Sequence, residues 1–150
     1  MAGRYYDEWA VGDRLVHDIR RTVTETDNLL FSTMTHNPQP LHLDLEAAKA
    51  SEFGRILVNS TFTFALMIGL SVGDTTLGTL VANLGFDKVV MPNPVFIGDT
   101  LRAETEVVAC KDSKSRPTAG IATFQHVLLN QRDEIVCQCL RPALLHRKPA

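Results

Sequence analysis

The stretch STFTFALMIGLSV, residues 60–72, decides the fold because it is apolar on nearly every side. A surface helix would keep one polar face, so this pattern predicts a helix with most of its surface buried. Asn59 or Ser60 is suited to be the N-cap of this helix, and Gly73-Asp74 is expected to end it. The rest of the chain is therefore expected to pack around one central helix.

Four strands are expected after the central helix, at 78–91, 99–111, 118–130 and 134–146. In the second of them, apolar and small residues alternate with arginine and glutamate, which is typical of a half-buried antiparallel strand. Pro142 in the last strand predicts an edge position or a bulge there. One buried helix and an antiparallel meander together predict an α+β domain, in which a sheet of about five strands wraps around the helix.

A strand and a helix are also expected before the central helix. The β-branched residues of IRRTVTE, residues 19–25, favour a strand. Thr26 or Asp27 can cap a helix that continues to about Met34. Residues 28–31, Asn-Leu-Leu-Phe, are expected to form the apolar side of that helix.

The loop HNPQPLHLD, residues 36–44, is the best candidate for a functional site. Pro38 and Pro40 fix φ at their own positions and push the residues before them toward extended conformations. A loop this stiff can hold the imidazole of His42 in place, and histidine is the side chain best suited to move protons near neutral pH. Asp44 is expected to cap the short helix that follows the loop.

Composition limits the class of protein. At 150 residues the chain is long enough for one domain with a real core, and a single domain over 1–150 is expected. A net charge of −2 provides no basic stripe for phosphates, so no nucleic-acid partner is expected. The longest apolar run, residues 62–72, is too short to span a bilayer, and the first residues contain no apolar signal region. We therefore expect a cytoplasmic protein without membrane association. Three cysteines without C-x-x-C spacing predict reduced, buried thiols rather than a metal site.

Four stretches carry a likeness to a known family: TVTETD (22–27), NPQPLH (37–42), FGRILVNS (53–60) and PVFIGDTL (94–101). They resemble, in order, a T-x-T-x-x-D segment before a helix, a D-x-N-P-x-H hydratase motif, an F-G-x-x-[IL]-V-H-G segment that opens the central helix, and a P-V-x-x-G-D-T-L start of a late strand. These are motifs of the MaoC-like, or R-specific enoyl-CoA hydratase, family. The resemblance covers almost the whole chain and implies a single hotdog domain.

A narrower likeness concerns the substrate. The combination of NPQPLHLD, NSTFTFALMIGLSVGDTT and LVANLGFD is most similar to hydratases of branched C5 dicarboxylyl-CoA thioesters, such as mesaconyl- or itaconyl-CoA. The resemblance implies an acyl-CoA hydratase or dehydratase that adds water reversibly to a short 2-enoyl-CoA thioester. No metal or organic cofactor is implied, because coenzyme A arrives as part of the substrate.

The resemblance also implies roles for single residues. In the family, a carboxylate and an imidazole share the water that adds to the double bond, and a backbone N–H at the start of the central helix receives the thioester oxygen. The imidazole falls on His42, the backbone donor on Ser60 and the carboxylate on Asn37. Because a carboxamide cannot accept a proton, His42 would carry the acid–base work while Asn37 orients the water. Three further residues are expected to contact the substrate: Gln39, Arg55 and Asn59.

The loss of the family's aspartate leaves two other functions open. Hotdog domains also hydrolyse acyl-CoA esters, but a thioesterase needs a carboxylate or a well-activated water, and Asn37 argues against it. The third possibility, a non-catalytic acyl-CoA-binding subunit, gains weight from the same replacement. The resemblance further implies a homodimer or higher homo-oligomer, because hotdog proteins pair two sheets edge to edge and place the CoA tunnel along the seam.

Overall fold

A six-stranded antiparallel sheet packs against one long helix in the computed structural model, which describes residues 3–149. The helices are α1 (Glu25–Met34), α2 (Pro40–Leu43), α3 (Leu45–Ala50) and α4 (Ser60–Thr75), with a 3-10 turn before them at Tyr6–Glu8. The strands are β1 (Arg14–Thr22), β2 (Leu80–Asn83), β3 (Asp87–Val90), β4 (Thr100–Asp112), β5 (Ala119–Leu129) and β6 (Ile135–His146). The order across the sheet is β1-β4-β5-β6-β2, and β3 also pairs with β6. The predicted α+β class is confirmed.

The central helix α4 is the buried helix that its sequence predicts, and it contacts β1, β4, β5 and β6. Asn59 is its N-cap, and the side chain of Asn59 accepts from the backbone of the first turn. The helix continues to Thr75, one residue past its predicted end at Gly73-Asp74. The last turn is held in place by Asp74, whose carboxylate accepts from Nδ1 of His17 at 2.8 Å.

The three long strands predicted at the end of the chain are confirmed as β4, β5 and β6, with bounds that differ by one residue at most. The strand predicted over 78–91 is instead two segments, β2 and β3, and both pair with β6. Between them Gly85 adopts a φ of 144°, and Lys88 within β3 has a φ of 50°. Such angles do not fit a regular strand, so the sheet has six strands rather than about five.

Pro142 lies in β6 between two neighbours, so the predicted edge position is wrong. The carbonyl oxygen of Pro142 accepts from the N–H of Leu84 at 3.0 Å, which places that side of the proline opposite the interruption between β2 and β3. The N and the C=O of one residue point the same way in an antiparallel strand. The missing N–H of proline therefore faces the interruption between β2 and β3 rather than a continuous ladder.

The first strand is confirmed in kind but lies earlier than predicted, because β1 ends at Thr22. Neither Thr26 nor Asp27 caps α1; the N-cap is Thr24. Thr24 and Asp27 form a reciprocal capping box, in which each side chain accepts from the backbone N–H of the other residue, at 3.2 and 2.9 Å. The capping box satisfies the backbone N–H groups of Thr24 and Asp27, which favours a helix that begins directly after Thr24.

Helix α1 buries mainly polar side chains, contrary to the prediction for Leu29 and Leu30, whereas Phe31 is half-buried with its ring 5.7 Å from that of Phe62. Its buried residues are Asn28 and Ser32, whereas Leu29, Leu30 and Met34 are 51, 59 and 74% exposed. The reason is that the inner face of α1 meets backbone groups, which need hydrogen-bond partners rather than apolar contact.

Two of the three cysteines are buried in the core, as predicted, whereas Cys110 is only half-buried. Cys137 and Cys139 of β6 are buried in an apolar cluster under α4, together with Met67 and Leu101. Burial raises the pKa of Cys137 to about 12 and that of Cys139 to about 11, so both are neutral thiols. Within residues 3–149, the structure contains no helix with the length and apolar character that a membrane crossing requires.

Candidate active site

His42 lies on a single helical turn, α2, which begins at Pro40. Proline at the first helical position is pre-set for a helix and has no N–H to leave unpaired. The imidazole is half-buried, and its Nδ1 lies 2.7 Å from the carbonyl oxygen of Leu57. A carbonyl oxygen can only accept, so Nδ1 carries the hydrogen. The neutral ring of His42 therefore has its lone pair on Nε2, where it can accept a proton.

His42 lines a small cavity of about 100 Å³, which we call the histidine cavity. Its lining is mostly apolar and holds one carboxylate, that of Glu25. The other lining residues are Asn28, Leu29, Leu43, Leu45, Ile56 and Ile97. The predicted proton-transfer residue is thus within direct reach of a space that could hold a substrate atom.

Ser60, at the start of α4, lines a second and larger cavity of about 320 Å³, which we call the helix-start cavity. Within residues 3–149, the N–H of Ser60 forms no hydrogen bond. An unpaired N–H at a helix N-terminus, at the positive end of the helix dipole, is suited to receive an oxygen on which negative charge develops. Among the described residues that line it, Thr63 and Asn93 provide the polar side chains besides Ser60.

The two cavities lie on either side of residues 56–58. Ile56 lines the histidine cavity, whereas Leu57 and Val58 line the helix-start cavity. This short segment is held to α2 by the N–H of Leu57, which donates to the carbonyl of Leu41 at 3.1 Å. The chain described here therefore brings His42 and Ser60 to one backbone segment but not into one cavity.

Asn37 forms a local turn beside this site. Its side-chain oxygen accepts from the N–H of Gln39 at 3.1 Å, and its own N–H donates to the carbonyl of Ser32 at 2.9 Å. In the described part of the chain Asn37 lines neither of the two cavities. Gln39 is exposed and is the N-cap residue of α2, without a capping bond from its side chain. The chemical roles predicted for both residues stay predictions.

Asn59 and Arg55 differ in what they leave available to a substrate. Asn59 is buried, and its side chain binds Ser32 and Thr61 as part of the helix start, so its predicted substrate contact stays a prediction. Arg55 is exposed, and its guanidinium lies over the ring of Phe96 at 3.7 Å. Within the described residues no carboxylate forms an ion pair with Arg55.

Arg55 lies close to the helix-start cavity. Phe96, under the guanidinium, has its ring 6.3 Å from that of Phe53, and Phe53 lines the cavity. Stacking on an aromatic face leaves the N–H groups at the edge of the guanidinium available to an anion. The guanidinium of Arg55 is therefore available to bind an anion near Phe96.

Two buried residues of α1 connect the parts of the site, and neither was predicted from the sequence. Asn28 binds the backbone of His42 and of Asn59, and Ser32 accepts from the side chain of Asn59 at 3.2 Å. A signal was present, because two polar residues four positions apart share one face of a helix. As to metals, no group of three His, Cys, Asp or Glu side chains in residues 3–149 is arranged to bind an ion.

Comparison with known proteins gives a family and a fold. Residues 8–128 match the family described as MaoC like domain. The chain is 31% identical to a mesaconyl-CoA hydratase of Cereibacter sphaeroides over 147 aligned residues. The alignment covers 98% of this chain and 42% of the relative. The chain thus spans about two-fifths of the length of this curated relative.

Comparison with solved structures also finds MaoC-like and hotdog-fold proteins. A MaoC-like dehydratase from Rhodospirillum rubrum is 35% identical, with a TM-score of 0.86 and coverage of 99% of this chain and 100% of the other. A Mycobacterium tuberculosis protein described as a double hotdog fold superimposes with a TM-score of 0.89 at 23% identity, covering 98% of this chain and 45% of that one. The predicted hotdog fold is confirmed.

Proposed function

Since the chain belongs to the MaoC-like domain family, we propose that it is an acyl-CoA hydratase or dehydratase, which adds water reversibly to a short 2-enoyl-CoA thioester. One observation carries this proposal. The Leu57 carbonyl fixes the tautomer of His42, so that the basic Nε2 belongs to a ring that lines a cavity. The named relative is a hydratase, which supports the same class of reaction.

In the proposed reaction His42 acts first as a base and then as an acid. Nε2 removes a proton from water while the water oxygen bonds to Cβ, and the electron pair of the double bond moves toward the thioester oxygen as an enolate. The imidazolium then returns a proton to Cα, so one water has been added in total. The bond from Nδ1 to Leu57 stabilises the charged ring. Proton transfer by one positioned group is worth roughly 10²–10⁴-fold.

Ser60 is proposed to bind the developing enolate through its N–H. This donor belongs to the backbone, so the serine side chain is not required for it. The thioester has to reach from the histidine cavity to the start of α4, past residues 56–58. Asn37 keeps its predicted role of orienting the water, for which its side-chain NH₂ group remains, since its oxygen is bound to Gln39.

A homodimer or higher homo-oligomer is part of the proposal. The β3 edge of the sheet exposes apolar side chains next to the helix-start cavity, which Met91 lines. The exposed residues of this edge are Leu84, Phe86, Val89, Val90 and Met91. An exposed apolar edge favours pairing with another sheet, and a second copy on this edge would enclose the cavity.

The proposed substrate is a branched C5 dicarboxylyl-CoA ester such as mesaconyl- or itaconyl-CoA. Similarity to mesaconyl-CoA hydratase supports it, as does the position of Arg55. Arg55 is an exposed cation whose guanidinium lies over Phe96, and it could bind the second carboxylate. We propose that no metal or organic cofactor takes part, and that the protein acts in the cytoplasm.

The test is hydration of mesaconyl-, itaconyl- and crotonyl-CoA by the wild type and His42→Ala, followed at the enoyl absorbance. His36→Asn is the matched control: His36 is exposed with a φ of 54°, which asparagine tolerates well. We expect turnover by the wild type and the control and at least a roughly 100-fold lower rate for His42→Ala. No turnover of all three esters by the wild type, or an unchanged rate for His42→Ala, would refute the proposal.

The same samples separate the alternatives. A thioesterase would release free thiol, which a chromogenic thiol reagent detects. A non-catalytic subunit would bind these esters at micromolar concentration without turnover of either kind. Asn37 argues against the thioesterase, and the proton-accepting nitrogen of His42 favours the hydratase over a non-catalytic subunit.

A further inference from the structure

We infer that Asn28 is a positioning residue for the reaction proposed above, on which this inference depends. Its carboxamide joins the backbone of His42 to the backbone of Asn59, the residue directly before Ser60. One side chain thereby fixes the acid–base group and the start of α4 relative to each other. Asn28 also lines the histidine cavity, but in this role it acts through the two backbone groups that it binds.

The two hydrogen bonds of Asn28 have similar lengths and opposite directions. Its Nδ2 donates to the carbonyl of His42 at 2.9 Å, and its Oδ1 accepts from the N–H of Asn59 at 2.9 Å. Asn28 is only 2% exposed, so water does not compete for either bond. The partners belong to two separate elements, α2 and the cap of α4, and the bridge spans the gap between them.

The neighbouring turn of α1 reinforces this bridge. Ser32, four residues later on the same face, accepts from Nδ2 of Asn59 at 3.2 Å. The carbonyl of Ser32 accepts from the N–H of Asn37 at 2.9 Å. The inner face of α1 therefore holds both ends of the proline loop and the start of α4 through four hydrogen bonds.

Packing alone does not explain this arrangement. Hydrophobic burial would favour the opposite rotation of α1, with Leu29 and Leu30 inside. The observed rotation instead buries an amide and a hydroxyl and leaves the leucines exposed. Buried polar groups of this kind keep their partners, because leaving one unpaired costs more than forming its bond gains. The polar face of α1 therefore stabilises the relative positions of α2 and the start of α4.

The chemistry depends on this geometry because Nε2 of His42 must meet Cβ and Cα while the N–H of Ser60 meets the thioester oxygen. A displacement of about 1 Å between reacting groups can lower a rate by roughly 100-fold. Without the Asn28 bridge, α2 and the start of α4 would be joined mainly through the bonds of Leu57 to Leu41 and His42. We expect that loosening to appear in kcat rather than in substrate binding.

The kinetic test compares Asn28→Leu, which loses both bonds, with Asn28→Asp, which keeps an acceptor for Asn59 but cannot donate to His42 when ionised. Thr75→Val is the matched control, because Thr75 is a buried hydroxyl at the far end of α4, bound to Ser71 at 2.6 Å. We expect kcat to fall roughly 10- to 100-fold in both Asn28 variants, with KM within about twofold of the wild type. Thr75→Val should lower the melting temperature and leave kcat unchanged.

A second readout does not need activity. In ¹⁵N spectra of the wild type, the Nδ1–H of His42 and the N–H of Asn59 should be protected from exchange with solvent. Both hydrogens should exchange with solvent at least about tenfold faster in Asn28→Leu than in the wild type. In Thr75→Val both exchange rates should stay as in the wild type. If the wild type hydrates the esters but Asn28→Leu keeps its kcat, the inference is overturned. If the wild type is inactive, the proposed function fails, and unchanged protection in Asn28→Leu would still overturn the positioning role separately.

Discussion

Nδ1 of His42 and the carbonyl oxygen of Leu57 lie 2.7 Å apart and join two segments separated by 15 residues. The bond has two consequences. It sets the ring tautomer, and it ties α2 to the segment that leads into α4. Chemistry and stability at this position can therefore be separated by substitution.

Replacement of His42 by asparagine should remove activity without loosening the fold. The side-chain NH₂ group of His42→Asn can still donate to Leu57, whereas His42→Ala leaves that carbonyl unpaired. We expect both variants to lose hydration by roughly 100-fold or more. His42→Ala should also lose about 1 kcal/mol of unfolding free energy relative to His42→Asn, measured by urea denaturation. Equal stability of the two variants would show that the bond contributes little to the fold.

The stability of the protein should depend on His126 in acid. Burial, with the nearby charges of Arg141 and His17, lowers the pKa of His126 from 6.5 to about 3. Between these values the unfolded chain binds a proton that the folded protein does not, so stability is lost as the pH falls from about 6.5 toward 3. The loss should be on the order of 1.4 kcal/mol per pH unit.

The variant His126→Gln isolates this contribution, because glutamine does not titrate and can still bind Thr105, which lies 2.8 Å from Nδ1 of His126. We expect the difference in unfolding free energy between wild type and His126→Gln to change by about 2 kcal/mol between pH 7 and 5, in favour of the variant at the lower pH. Urea denaturation at several pH values measures it. Parallel pH curves for the two proteins would contradict the assignment.

Arg55 should distinguish dicarboxylic from simple esters. If the guanidinium of Arg55 binds the second carboxylate, Arg55→Gln should raise KM for mesaconyl-CoA about tenfold. KM for crotonyl-CoA, which has no second carboxylate, should stay within about twofold. A charge-assisted hydrogen bond contributes roughly 1.5–3 kcal/mol when it is shielded from water and less when it is exposed. Steady-state kinetics with both esters decide the matter. An equal rise for both would assign Arg55 to a phosphate of coenzyme A instead.

The β3 edge should be the dimer contact. Val90 at this edge and Val16 of β1, on the opposite edge of the sheet, are 44 and 68% exposed and provide a matched pair. Equilibrium sedimentation should give a multiple of the monomer mass for the wild type and for Val16→Lys, and a lower mass for Val90→Lys. A lysine that must enter an apolar seam disfavours assembly. A wild type at the mass of one chain would contradict the oligomer itself.

The secondary structure could be predicted where one physical rule dominates. The apolar surface of residues 60–72 predicts a buried helix whatever it packs against, and the alternation in β4 predicts a half-buried strand. The division of 78–91 into two strands could not be predicted, because it depends on a φ of 144° at Gly85 and on pairing with β6. A glycine within a strand pattern only raises that possibility.

The site could be predicted only in part. The proline frame and the family motifs lead to His42, but its hydrogen-bond partner is a backbone carbonyl 15 residues away, and backbone groups leave no mark in a sequence. The rotation of α1 was predicted wrongly for the same reason. Leucines at residues 29 and 30 favour an apolar inner face, whereas the neighbours of Asn28 in space are backbone groups of two other segments.

The interruption at Gly85 also affects how this protein behaves at high concentration. An unbroken strand over 78–91 would offer a long, flat row of unsatisfied backbone groups, on which chains could stack without limit into fibres. Two four-residue segments with a bend between them offer only short rows, which suit one defined neighbour and do not template a growing filament. A substitution that straightened this bend would be expected to promote the growth of fibres.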